Sequence, residues 1–158
     1  SIAIAEAHDI STLFDKTTHL NFKTGKRKGS PEKFIAQLKA QGAIPASPAA
    51  RYDYMDYYAP TKPMSYAGFN IVVVEHEYME KYIGCCVNPG LNLVVRVAQH
   101  AKPLEIRASK LGCSVEHPYK AEAEQSAIGQ LKPMHPKLLA RIRCQEMDAN
   151  DAMHPQPQ

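Results

Sequence analysis

The sequence has no apolar stretch close to the roughly 20 residues that a transmembrane helix needs. The segment from Ser1 to Glu6 has no basic residue ahead of its short apolar run, so we expect no signal peptide. Excess charge is also small: the net charge of +3 does not by itself indicate a nucleic-acid-binding protein. These absences predict a cytoplasmic protein without membrane contacts, either free or within an assembled particle.

Cysteine is scarce, with four residues at Cys85, Cys86, Cys113 and Cys144. A chain of 158 residues can bury enough apolar surface to fold without disulfides. The adjacent pair Cys85 and Cys86 is also poorly placed to bond to itself, because disulfide geometry disfavours neighbouring residues. We therefore expect reduced thiols of the kind found in cytosolic proteins.

The composition is that of an ordinary soluble globular protein, with 44% apolar and 22% charged residues. One domain is the expected organisation for this length. The 12 prolines exceed average usage and indicate long connections or extended arms. We predict a single domain over 1–147, a long Tyr- and Pro-rich connection at 43–67 within it, and a polar C-terminal tail at 148–158.

Alternation of apolar and polar residues predicts a sheet between about 69 and 116. Leu91, Leu93 and Val95 share one face of a strand, and Asn92 and Arg96 lie on the other. The predicted strands are 69–79, 83–87, 91–98, 103–108 and 111–116. The short links between them favour antiparallel pairs.

The clearest helix is predicted at 30–41. Ser30 is a suitable N-cap, Pro31 suits the first helical position, and Gly42 is a natural stop. Further helices are predicted within 1–20, at 120–131 and at 136–147. The predicted fold class is α+β: a mostly antiparallel sheet of four or five strands, with helices near the N-terminus, at 30–41 and at the C-terminus.

Tyrosine and proline dominate the connection at 43–67 and suggest an interface. A connection this long in a compact domain is usually functional or bound to a partner. Tyrosine offers a large contact area with a polar tip, and proline pre-orders an extended arm. The predicted interface residues are Tyr52, Tyr54, Tyr57, Tyr58 and Tyr66. The tail at 148–158 is polar and should fray unless a neighbour holds it, which predicts a second contact.

A basic loop suggests nucleic-acid binding as an alternative function. The loop supplies the donors that phosphate contacts need, from Lys23, Lys26, Arg27 and Lys28. Gly25 would let its backbone approach a nucleic-acid strand closely. The tyrosines of the connection at 43–67 would then stack on bases. Nothing in the sequence ties the basic loop to these tyrosines.

A cysteine hydrolase is one enzymatic alternative. Cys113, His100 and Glu105 supply a nucleophile, a base and a carboxylate, but they are separated along the chain. Cys113 and His117 have the spacing of two zinc ligands, but a structural zinc site needs a second pair at similar spacing.

A metal-dependent nuclease is the other enzymatic alternative. Glu75 and Glu77 end a predicted strand and Lys81 follows, which supplies acids and a lysine. The pattern lacks the aspartate on a neighbouring strand and the closely spaced glutamate and lysine. We therefore predict no catalytic residue, no metal site and no cofactor.

Taken together, these features favour a non-enzymatic structural subunit of a larger assembly, a virion or a comparable particle. Its expected partners are other protein subunits, contacted through the Tyr- and Pro-rich connection and the C-terminal tail. A small nucleic-acid-binding protein is the alternative, and a cysteine hydrolase or metal-dependent nuclease is the second alternative.

Overall fold

A computed structural model describes residues 6–79, 87–98, 100–121, 125 and 134–155. The α+β fold class is confirmed: the described residues form four helices, a mixed sheet of eight strands and a separate two-stranded hairpin. The sheet is larger than the predicted four or five strands. The helices are α1 (Ser11–Thr18), α2 (Pro31–Ala40), α3 (Lys102–Leu111) and α4 (Glu146–Met153). The strands are β1 (His8–Asp9), β2 (Leu20–Asn21), β3 (Lys26–Arg27), β4 (Ala50–Tyr52), β5 (Met55–Tyr58), β6 (Met64–Tyr66), β7 (Phe69–Glu77), β8 (Gly90–Arg96), β9 (Ser114–Glu116) and β10 (Leu139–Gln145).

The main sheet has the strand order β1-β6-β7-β8-β10-β9. Strand β7 is long enough to pair with β6 near its start and with β5 near its end, and β5 in turn pairs with β4. The β1–β6 pair is parallel and the other pairs are antiparallel, so the predicted antiparallel character holds. Strands β2 and β3 form the separate hairpin.

The main apolar core lies between one face of the sheet and helices α1, α2 and α3. Helix residues such as Phe14, Phe34 and Leu104 pack there against Leu93 and Ile142 of the central strands. The opposite face has a smaller apolar cluster and several buried charged side chains, described below. None of the helices in the described ranges has the length and apolar character of a membrane span.

Helix α2 confirms the predicted helix at 30–41. The Ser30 side chain accepts a hydrogen bond from the Lys33 N–H over 3.2 Å, and Pro31 occupies the first turn. Phe34, Ile35 and Leu38 form the buried face. The capping residue, the proline and the apolar spacing agree here, so the local sequence determines the element.

The strand predicted at 103–108 is wrong, because these residues lie in helix α3. Leu104, Ile106 and Ala108 alternate as a strand would, but Leu104 and Ala108 are also four residues apart, which suits a helix. The structure buries Leu104, Ala108 and Leu111 and leaves Ile106 in solvent. Gly112 ends the helix at φ +69°, the usual conformation of a C-terminal cap.

The helix predicted at 136–147 is also wrong, because strand β10 occupies 139–145. Ala140, Ile142 and Cys144 point into the main core, while Arg141 and Arg143 point to the other face. The strand lies between β8 and β9 and pairs with both. Pairing with strands on both sides therefore outweighs the helical preference of these residues.

The Tyr- and Pro-rich connection predicted at 43–67 contains strands β4, β5 and β6. The described part of the tail is also ordered, because helix α4 begins at Glu146. The side chain of Asp148 accepts the Gln145 N–H over 2.9 Å, and Asp148 and Ala149 are buried. The predicted strand at 83–87 and the predicted helix at 120–131 lie largely outside the described residues.

Candidate protein interface

The tip of the hairpin formed by β4 and β5 has an unusual backbone. Asp53 and Tyr54 connect the strands with φ angles of +49° and +67°. Two-residue hairpin turns need this left-handed conformation, in which asparagine and glycine are the usual residues. A bulky tyrosine here costs conformational energy, so the turn alone does not account for Tyr54.

Four side chains surround this tip, and we call them the tyrosine patch: Arg51, Tyr52, Tyr54 and Tyr78. The Arg51 guanidinium lies 4.3 Å from the centre of the Tyr78 ring. The Tyr54 and Tyr78 rings meet edge to face with centroids 6.1 Å apart, and the Tyr78 N–H donates to the Tyr54 carbonyl over 3.0 Å. Tyr52 and Tyr54 are 58% and 38% exposed. The patch therefore presents aromatic surface to solvent on a fixed base.

Asp56 holds the arginine of the patch in place. Arg51 Nε lies 2.5 Å from Asp56 Oδ1, and Arg51 Nη2 lies 2.9 Å from Asp56 Oδ2. Asp56 is buried while Arg51 is largely exposed. The hydrogen bonds to Asp56 raise the pKa of Arg51, so the guanidinium stays charged. A two-point contact of this kind fixes the plane of the guanidinium.

Three of the five predicted interface tyrosines are buried in the domain. Tyr57, Tyr58 and Tyr66 are each less than a tenth exposed. The Tyr66 hydroxyl donates to Asp15 Oδ1 over 2.6 Å and accepts from Arg107 Nε over 3.2 Å. Burial and the hydrogen bond to Asp15 raise the pKa of Tyr66. These side chains therefore serve the fold, and Tyr52 and Tyr54 remain on the surface.

Sequence reasoning missed two members of the tyrosine patch, Arg51 and Tyr78. The available signal was the short spacing between Tyr52 and Met55, which suggests a hairpin turn between two strands. Met55 pairs with Glu77, which brings the following residue, Tyr78, beside the turn. That register depends on a long-range pairing that local patterns do not specify.

The predicted basic loop forms the β2–β3 hairpin, and its four cations differ in environment. Lys23, Lys26 and Lys28 are exposed. Arg27 points inward: Nη1 donates to the carbonyls of Thr18 and Leu111, and Nη2 donates to those of Gly112 and Gln145, over 2.8–3.1 Å. Nucleic-acid binding by this loop stays a prediction, and it depends on the three lysines.

The prediction of reduced thiols is wrong for Cys113 and Cys144, which form a disulfide with an S–S distance of 2.04 Å. The strand assignment of 136–147 explains the error, because β10 places Cys144 beside the turn that follows α3. Cys113 is therefore not a free nucleophile of a cysteine hydrolase in this structure. Cys85, Cys86 and Lys81 lie outside the described residues.

The two glutamates of the predicted nuclease pattern lie on the second face of the sheet. Glu75 is fully buried; it accepts from Asn92 Nδ2 over 2.9 Å and from Arg141 Nη1 over 3.2 Å, and it also accepts from Gln125. Glu77 is buried near Asn88. In the part of the chain that the structure describes, no group of three or more His, Cys, Asp or Glu side chains is arranged to hold a metal ion.

Arg141 connects Glu75 to a wider set of charges. Its Nη2 lies 2.7 Å from Glu116 Oε1, which also lies 3.2 Å from Arg143 Nη1. Burial raises the pKa of Glu75, and the Arg141 charge offsets part of that rise. Burial also opposes the charge of Arg141, but Glu75, Tyr119 and Glu116 together raise its pKa. The carboxylates of Glu75 and Glu116 are thus both paired with arginines.

No protein-family model, curated protein or solved structure matches the chain.

Proposed function

We propose that this protein is a non-enzymatic structural subunit of a larger assembly, a virion or a comparable particle, and that the tyrosine patch binds a neighbouring protein subunit. The observation that carries the proposal is the exposure of Tyr52 and Tyr54 at a hairpin tip whose base is fixed by Arg51 and Asp56. The described part of the tail packs on its own domain, so we propose the patch as the contact rather than the tail.

The chemistry of the patch supports a protein partner. Tyrosine and arginine are enriched in interfaces and among the residues that contribute most to binding. Asp56 and Tyr78 already restrain Arg51, so less conformational entropy is lost when a partner binds. The strained backbone of Tyr54 fits the same role, because strain persists where a side chain is needed for function.

A second copy of this chain is the neighbour that the patch fits best. The patch carries both a guanidinium and aromatic rings, so a twofold axis can place Arg51 of one copy against a tyrosine of the other. Strand β4 pairs only with β5 within the described residues, so its outer edge offers N–H and C=O groups to another strand.

Site-specific photocrosslinking tests this proposal. A benzophenone amino acid replaces Tyr52 in one variant and Ile106, an exposed apolar residue of α3, in a matched control. We expect the variant at position 52 to give a covalent dimer on illumination, with peptides from the β4–β5 hairpin at the linkage. A dimer from position 106 and none from position 52 would contradict the proposal.

One observation favours nucleic-acid binding as the second candidate function. Phe22 is 49% exposed and lies in the same hairpin as Lys23, Lys26 and Lys28. Exposed aromatic rings beside lysines are the usual means of binding single strands, because the rings stack on bases while the lysines contact phosphates.

Salt dependence tests this second function. The variant with Lys23, Lys26 and Lys28 changed to Gln is compared with one in which the exposed Lys16, Lys102 and Lys110 are changed to Gln, which loses the same charge. For a single-stranded oligonucleotide, each lost phosphate contact lowers the slope of log K against log salt by about 0.7. The function is contradicted if both variants bind the oligonucleotide like the wild type.

We propose a cytoplasmic location, free or within a particle, and the disulfide places a condition on it. Thiol systems of the cytosol reduce most disulfides, and those that form there are usually transient and exchanged during function. A cytoplasmic location therefore requires that the bond between Cys113 and Cys144 opens and reforms.

A further inference from the structure

The disulfide lies at the wall of a cleft, and its two sulfurs differ in accessibility. The cleft has a volume of about 510 Å³ and is lined by residues of α3, β9 and α4 together with Phe22. Cys113 is half-buried and lines this cleft, whereas Cys144 is 1% exposed and belongs to the main core. A reagent that enters the cleft therefore meets Cys113 Sγ.

A partly buried cation lies next to the accessible sulfur. Arg27 Nη1 is 3.7 Å from Cys113 Sγ. Its other hydrogen bonds go to backbone carbonyls, and Arg27 Nε has no hydrogen-bond partner among the described residues. Burial lowers the pKa of Arg27 to about 10, although the nearby Asp148 opposes this. The guanidinium is thus a poorly neutralised charge at this position.

Other charged groups near the cleft do not cancel this cation. Arg143 and Asp148 line the cleft but are paired with each other over 2.9 Å. Glu105 and Asp151 also line it and are exposed, so solvent screens their effect on the sulfur. Among the described residues, Arg27 is the charged side chain that places a hydrogen-bond donor next to Cys113 Sγ.

We infer that the Cys113–Cys144 disulfide is a thiol–disulfide exchange site, that a dithiol reductant attacks it at Cys113, and that Arg27 pairs with the Cys113 thiolate once the bond is open. A cation at this distance favours a thiolate and increases the reactivity of a cysteine at neutral pH. The site is separate from the tyrosine patch, so either can be wrong without the other.

The exchange is a two-electron reduction of the protein. A thiolate of the dithiol attacks Cys113 Sγ, the bond between the cysteine sulfurs breaks, and the Cys144 sulfur leaves with the electron pair and takes up a proton. The second thiol of the dithiol loses its proton and attacks the mixed disulfide, which releases Cys113 as a thiolate. The dithiol becomes a disulfide; one of its protons is now on Cys144 and the other is in solvent.

Alkylation of the reduced protein tests the role of Arg27. The full chain is reduced with dithiothreitol and treated with iodoacetamide, and modification of Cys113 is followed by peptide mass spectrometry. We expect Arg27→Met to slow the modification of Cys113 by about tenfold at neutral pH, and Arg27→Lys to retain most of the rate. The control Lys16→Met removes an exposed cation of α1 and should react like the wild type. Equal rates in Arg27→Met and Lys16→Met would overturn the inference.

Two measurements on the wild type keep the test decisive if Arg27→Met does not fold. The first is the pH dependence of Cys113 alkylation, which should report a thiol pKa below the usual value of about 8.5. The second is the equilibrium with a dithiothreitol redox buffer followed at the Cys113–Cys144 pair. A Cys113 pKa at or above the usual value, or a disulfide that a dithiol cannot open in the folded protein, would overturn the inference.

The same redox equilibrium gives a quantitative expectation for a folded Arg27→Met variant. Loss of the cation destabilises the reduced form, so the equilibrium constant for reduction should fall by about tenfold, which corresponds to about 30 mV. An unchanged constant would contradict the pairing of Arg27 with the thiolate.

Discussion

Arg141 is surrounded by carboxylates on the second face of the sheet, and its main partner cannot reach water. Glu75 is fully buried, so its charge depends on Arg141 and on amide donors from Asn92 and Gln125. Burying two charges costs much of what their attraction returns, so the intact pair adds little stability. Removing one partner is different, because the remaining charge is then buried alone.

Arg141→Met should therefore lower the free energy of unfolding by about 3–5 kcal/mol. Urea denaturation measures this loss. Arg96→Met is the matched control, because Arg96 is an exposed arginine on β8 and its loss should change stability by less than about 0.5 kcal/mol. The double variant Glu75→Gln with Arg141→Met should recover part of the loss. Equal stability of Arg141→Met and Arg96→Met would show that the charge of Glu75 does not depend on Arg141.

Glu77 should make stability fall as pH rises. Burial raises the pKa of Glu77 above the usual value of a glutamate, the Asn88 N–H lowers it in part, and Asp53 and Glu146 raise it further. The folded state therefore holds the proton more tightly than the unfolded state does. The stability that this proton contributes is complete below the pKa of Glu77 in the unfolded state. It is lost as pH rises through the higher pKa of Glu77 in the folded state.

The comparison of wild type with Glu77→Gln measures this contribution. The amide stays neutral at every pH, so the wild type should lose stability relative to the variant as the pH rises above the usual carboxyl range and through the raised pKa of Glu77. Urea midpoints at several pH values give the difference. A difference that does not change with pH, or that changes in favour of the wild type as pH rises, would contradict the assignment.

Among the helices and strands, the local sequence predicts correctly those in which several local patterns indicate the same element. Helix α2 was predicted because capping, proline position and apolar spacing all indicate the same element. The sequence predicts a strand where helix α3 lies, because Leu104 and Ala108 fit the repeat of a strand as well as that of a helix. It predicts a helix where strand β10 lies, because Leu138–Leu139–Ala140 favours a helix locally. In both, the outcome is decided by packing on distant strands, which a local pattern does not contain.

Strand β8 begins at a glycine that the neighbouring strand requires. Gly90 has φ +145°, and a Cβ there would meet the carbonyl oxygen of Cys144 and lie 2.6 Å from Gln145 Cα. Gly90→Ala should lower the free energy of unfolding by about 3 kcal/mol. Gly68→Ala is the control, since Gly68 has φ +83° but open space around it. This variant should lower the free energy of unfolding by only about 1 kcal/mol. Equal losses would show that the contact with β10 does not matter.

Tyr52 and Tyr54 of the tyrosine patch are among the predicted interface residues, and the turn that carries Tyr54 can be tested as an element. Tyr54→Gly relieves the φ of +67° but removes the ring contact with Tyr78, so stability should change by less than about 1 kcal/mol. Association of the chain should nevertheless weaken. Ala67→Gly is the control, because Ala67 has φ +52° in the β6–β7 turn, outside the patch, and should leave association intact. Stability and association are read by urea denaturation and by sedimentation. Unchanged association of Tyr54→Gly would contradict the assigned role.

For the whole molecule, the sequence predicts the fold class but not the order of the strands in the sheet. The apolar run that begins at Phe69 and the patterned segment at 91–97 located the centre of the sheet, and the helices near it indicated α+β. The strand order joins β1 from the N-terminal region to one side and β10 from the C-terminal region next to β8. A two-residue strand such as β1 has no pattern of its own, and its place depends on pairing with Met64 and Ser65.

The mass of the chain in solution tests the central claim most directly. Light scattering after size exclusion at moderate salt is applied to the wild type and to the variant with Tyr52→Ser and Tyr54→Ser. A subunit of an assembly should have a defined multiple of its 17.6 kDa mass, and the variant should return to the mass of one chain. A wild type that remains a single chain at every concentration would contradict the claim that this protein assembles through the tyrosine patch.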